Sequence, residues 1–115
     1  MTLDNFFTLL DKQAKPVQFS DTMAVIDANY THTATAFRVG DQDNTADQNQ
    51  GSCKILAFAQ LHNMDKHATL ALFGNYYRVD VLKHPNHNDH QNIRNFLAHG
   101  WDSVSFTGKA LVAKL

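Results

Sequence analysis

Gly51-Ser52-Cys53-Lys54-Ile55-Leu56-Ala57-Phe58-Ala59-Gln60-Leu61 is the stretch on which the fold turns. Its run from Ile55 to Ala59 is apolar on nearly every side of a helix, and a helix without a polar face has to be central and buried. The predicted span is 52–62, with Ser52 as the N-cap. The rest of a 115-residue, 12.9 kDa chain must wrap around this helix. A chain of that length holds one hydrophobic core, so residues 1–115 are read as one domain.

Toward the N-terminus, Leu3, Phe6, Phe7 and Leu10 recur at helical spacing and predict a helix over 2–14, halted by Pro16. Ser20 or Asp21 opens a second helix over 21–30, with Met23, Ile26 and Tyr30 on its buried stripe. Thr33, Thr35, Phe37 and Val39 alternate with Ala34, Ala36 and Arg38, which predicts a strand over 33–39 ending at Gly40. Residues 41–51 are almost wholly polar and are expected to form a functional surface loop. Beyond the central helix, 65–78 reads as a helix capped by Asp65, with Leu70, Phe73 and Tyr77 on one face and Gly74 tolerated inside. Another helix, 89–98, carries Ile93, Phe96 and Leu97 and is closed by Gly100 in a left-handed cap. Val104 and Phe106 mark a last strand over 103–107. The expected class is α+β, with about five helices packed around a small antiparallel sheet. Phe6, Ile26, Ile55, Phe58, Phe73, Ile93, Phe96 and Phe106 are the expected core, and Trp101 its lid.

Composition excludes several function classes. Hydrophobic residues make up 43% of the chain, enough apolar material to exclude disorder. Ten basic residues face eleven acidic ones for a net charge of -1, which argues against nucleic-acid and polybasic membrane partners. No apolar run approaches the ~18 residues of a membrane span. A lone cysteine fits a reducing compartment, and a cytoplasmic location is expected. All eleven acids are Asp, so motifs that require Glu, such as zinc-protease and EF-hand signatures, are excluded.

The richest chemistry lies at Ser52-Cys53-Lys54. If Ser52 caps the helix, Cys53 sits in its first turn, where free N–H groups and the helix dipole favour thiolate. Gln48, Asn49 and Gln50 run into that turn as candidate oxyanion donors. His90, beside Asp89, is the natural base for such a thiol, with Asp89 or Asn92 fixing its tautomer. Cys53, His90 and Asp89 are therefore the candidate catalytic set, and Gln48, Asn49, Ser52, Asn92, Arg94 and Arg78 the candidate binding residues. The plainer alternative is a buried structural cysteine, and the sequence favours it. His84, His87 and His90 are spaced by three, but Pro85 breaks any shared helical face; the stretch reads as a His-rich turn, and no metal or other cofactor is expected. Asp41, Asp43 and Asp47 fail as a calcium loop, because Ala46 replaces the turn Gly and Ser52 the closing Glu.

The chain resembles the HopJ type III effector-like family through Asp21-Thr-Met-Ala-Val-Ile-Asp-Ala-Asn-Tyr30 and Gly51 to Leu61. The likeness continues in Thr69-Leu-Ala-Leu-Phe-Gly-Asn-Tyr-Tyr-Arg-Val-Asp-Val-Leu82, Asp89-His-Gln-Asn-Ile-Arg94 and Gly100-Trp101. The resemblance implies a small mixed domain without an assigned activity, cofactor or substrate, and raises export through a type III system. Residues 1–15 read instead as a packed helix without Ser, unlike a polar export signal. The leading expectation is a small binding or regulatory domain acting on a protein or small-molecule partner. A Cys53/His90 hydrolase or transferase is the alternative, and a metal-binding protein the second.

Overall fold

Helix α3, Gln50–Leu61, runs through the centre of a computed structural model that describes residues 2–12 and 17–114. Cys53, Ile55, Leu56, Ala57, Phe58 and Ala59 are all buried on it, as its all-round apolar sequence requires. Its start lies two residues before the expected one. Asn49, not Ser52, is the N-cap, in a left-handed conformation (φ 51°, ψ 38°).

Helix α1, Leu3–Lys12, buries Phe6 and lays Leu3, Phe7, Leu9 and Leu10 against the core. The expected extension beyond residue 12, and its halt at Pro16, lie outside the described residues. Helix α2, Phe19–Asn29, begins earlier than Ser20 because Gln18 and Asp21 form a capping box, with the Gln18 N–H donating to Asp21 Oδ2 at 3.0 Å. Val25 and Ile26 are buried on it, while Met23 is only half-buried.

Of the expected strand 33–39, only the last three residues form one. Strand β1, Tyr30–His32, continues directly from α2, and β2, Phe37–Val39, follows after an irregular segment. The alternation holds from Thr35 onward, since Thr35, Phe37 and Val39 are buried, but Thr33 is exposed. Part of the expected polar loop is strand β3, Gln42–Asn44, a hairpin partner of β2 joined through Gly40 at φ 58°. Strand β4, Val104–Phe106, pairs with the other edge of β2, giving an antiparallel sheet in the order β3-β2-β4. Strand β5, Leu111–Ala113, pairs with β1 in a separate two-stranded sheet, with Thr31 opposite Val112. Phe106 is half-buried, stacked on Phe37 at 6.0 Å, rather than fully in the core.

Helix α4, Lys66–Ala71, is capped as expected by Asp65, whose Oδ1 accepts from Ala68 N at 2.8 Å. It does not reach residue 78. Gly74 breaks it with φ 63°, and the chain restarts as a π-helical turn, Tyr76–Val81, with Leu82 N donating to Tyr77 O at 3.0 Å. Helix α5, Gln91–His99, starts from His90, which is left-handed (φ 51°, ψ 48°). Gly100 ends it at φ 70°, ψ -160°, an extended conformation open to glycine rather than the expected left-handed helical one. Trp101 covers the core as expected, edge-on to Phe96 at 4.9 Å, and its indole N–H donates to Met64 O at 2.9 Å.

Candidate functional site

The two left-handed, non-glycine N-caps, Asn49 and His90, lie at the mouth of one cleft. It encloses about 250 Å³ between β3, α3 and α5 and is lined by Gln42, Asn49, Ser52, His90, Gln91, Asn92 and Ile93. No side chain caps either helix. The first-turn amides of α3 and α5 therefore lack a side-chain acceptor, and each helix presents the positive end of its dipole. Left-handed backbone is uncommon outside glycine, and Asn and His are among the residues that adopt it most readily.

A buried amide network holds the cleft floor. Asn44 Nδ2 donates to Asn92 Oδ1 at 2.9 Å and Asn92 Nδ2 returns the bond to Asn44 Oδ1 at 3.0 Å. Asn49 Nδ2 donates to the same Asn44 oxygen at 2.8 Å. Asn44 thus ties β3 to both helix starts. Sequence reasoning missed it, placing it in a solvated loop, although its inward position beside outward Asp43 follows the period of a strand.

Of the candidate catalytic set, Asp89 and His90 lie side by side, while Cys53 bonds elsewhere. Cys53 is completely buried, and its thiol donates to Thr35 O at 3.7 Å. Its own N–H is already bonded to Asn49 O at 3.1 Å, so the thiol does not sit among free first-turn amides. Burial pushes its pKa up to about 11, opposite in direction to the activation expected for a helix-start thiol. Lys54 points elsewhere, bonded to Asp27 at 2.9 Å. The His90 ring pairs with Asp80, not with the thiol: Nε2 is 3.0 Å from Asp80 Oδ2 and 3.8 Å from Asp89 Oδ2.

Asn49, Ser52, Asn92 and His90 are brought together in the cleft. Gln48 is exposed beside it, its side chain accepting from Thr45 N at 3.2 Å. Arg94 is turned onto the backbone: it donates to Asp89 O (2.6 Å), His84 O (2.9 Å) and Asp80 O (3.1 Å), and to Asp89 Oδ1 (2.6 Å). That bond, with His90, Arg94 and His87 nearby, holds the Asp89 carboxyl below the usual range. Arg78 likewise donates to Val17 O and, at 3.4 Å, to Ala71 O. Both arginines fasten irregular backbone to helices.

His84 and His87 stack at 4.6 Å, and the trio with His90 does not converge. Among the described residues, the donors that gather are those of Asp80, Asp89 and His90. The aspartates at 41, 43 and 47 point to local partners, Asp43 to Arg38 at 3.0 Å and Asp47 to Thr45.

These features define a small α+β domain with a polar cleft framed by two helix starts. The chain belongs to the HopJ type III effector protein family, whose model matches residues 3–111. It is also similar to a solved crystal structure of the unknown-function protein VPA0580, with 51% identity over 99% of this chain and 95% of that one and a TM-score of 0.95. No curated protein matches the sequence. Among the described residues, no helix is long and apolar enough to cross a membrane.

Proposed function

We propose that this HopJ-family domain is a small binding or regulatory module that recognises an anionic group, a carboxylate or phosphate, in the cleft between α3 and α5. One observation carries the reading: two helix N-termini without side-chain caps meet at one polar cleft, each turned into place by a left-handed Asn or His. The amide network behind Asn92 keeps the floor rigid, so a ligand would meet preformed donors. The family description, an effector protein, is consistent with a domain that acts by binding. A Cys53 hydrolase finds no support in the thiol's buried surroundings.

An NMR titration of the metal-free protein with inorganic phosphate and with acetate tests this. Amide signals of Gly51, Ser52, Gln91, Asn92 and Ile93 should move saturably together. Shifts scattered over the surface, or none at these amides, would remove the reading.

A further inference from the structure

We infer that Asp80, Asp89 and His90 form a binding site for one divalent transition-metal ion of the zinc or manganese type, at the rim of the cleft. The three residues come from two directions. Asp80 projects from the π-helical turn Tyr76–Val81, while Asp89 and His90 precede α5. His90 Nε2 stands 3.0 Å from Asp80 Oδ2 and 3.8 Å from Asp89 Oδ2, and the three donor atoms all lie within 4.8 Å of one another. With metal–ligand bonds of about 2.1 Å, donors on one ion stand roughly 3.0 Å apart in an octahedron and 3.4 Å in a tetrahedron. Small side-chain rotations therefore close the set around an ion.

Charge favours the same occupant. Two carboxylates converge here, and Arg94 neutralises only one, through Asp89 Oδ1, leaving Oδ2 directed at His90. The same guanidinium holds the Asp80 and Asp89 carbonyls, fixing the spacing of the two ligand segments as an outer-shell partner does in metal sites. Asp80 and Asp89 side chains are 41% and 48% exposed, so water can complete the coordination shell. A nitrogen with two carboxylates suits zinc or manganese; magnesium and calcium prefer all-oxygen sets.

The site shares His90 with the rim of the anion cleft but rests on side-chain donors, whereas the anion reading concerns backbone amides and needs no metal. Calorimetry of the full chain with zinc chloride and manganese chloride, and with magnesium chloride for comparison, should give one site for the first two ions. Asp80→Asn and His90→Asn should each weaken it at least about tenfold. Asparagine tolerates the left-handed backbone at 90, which keeps that variant foldable. The His84→Ala/His87→Ala double variant should bind as the parent does. Paramagnetic broadening by manganese, read on the unmutated protein, should centre on the amides of 80 and 89–91. No binding, binding unchanged in Asp80→Asn, loss in the His84/His87 variant, or broadening centred elsewhere would each overturn the assignment.

Discussion

At Gly74 a single missing side chain shapes the molecule. A Cβ built there would stand 2.6 Å from Phe19 N and 3.1 Å from Gln18 Cα, both backbone atoms that cannot swing away, and the residue sits at φ 63°. Gly74→Ala should therefore cost about 2–5 kcal/mol, from about 1–2 for the left-handed backbone and about 1–3 for overpacking. Urea denaturation should show a lower midpoint at an unchanged slope. Gly108→Ala is the control: nothing lies within 4 Å of its would-be Cβ, and its midpoint should hardly move. The sequence places Gly74 inside a helix because the apolar spacing continues past it through Phe73 to Tyr77. Only the close approach of α2 reveals that the glycine ends the helix. Cys53 teaches the same lesson in reverse, since its position near a helix start was legible, but its burial depends on everything packed around it.

At the scale of elements, the reciprocal Asn44–Asn92 pair joins β3 to α5, with Asn49 tying in the start of α3. Removing either amide leaves its buried partner short of a hydrogen bond, a loss of about 1–3 kcal/mol. Asn44→Ala and Asn92→Ala should each destabilise by that order. The double variant should lose less than the sum, with a coupling of about 0.5–3 kcal/mol. Additive losses in a double-mutant cycle would show the pair to be independent. Helices announce themselves in this chain through apolar periodicity and, at α4, through Asp65. Strand β3 does not, because Gln42-Asp43-Asn44 is polar throughout and its inward face satisfies amides instead of burying hydrocarbon.

For the whole molecule, stability should depend on pH through two histidines. His62 lies against Phe7 and Phe58, with Nε2 2.6 Å from the Tyr30 hydroxyl, and burial lowers its pKa. His32 is lowered first by burial and then by Lys54, while Gln50 and Asp27 pull the other way. In both, the folded state prefers the neutral ring, so the unfolded chain binds more protons between the lowered folded pKa and the ordinary value of about 6.5. Their stabilising contribution is complete above about pH 6.5 and is lost as pH falls through the lowered folded values. Melting temperature should thus rise as pH climbs toward about 6.5 and then flatten. His62→Gln should make that rise shallower; an unchanged slope would exclude His62 as a source.

By itself the sequence determined the α+β class, the buried central helix, the aromatic core from Phe6 to Phe96, the Asp65 cap and the family. Each is written in local spacing or in matching motifs, and local spacing is set by the backbone's own periods. Only the tertiary structure decided that the expected strand shortens to Phe37–Val39, that Asn44 is buried, that Arg78 and Arg94 clamp backbone, and that His90 faces Asp80 rather than Cys53. Some of those outcomes rest on partners far apart in the chain, such as Asn44 and Asn92, separated by 48 positions; others, such as His90 and Asp80, meet across a stretch of ten. A polar side chain's fate depends on which distant donor or acceptor reaches it as water leaves, and no local pattern carries that information.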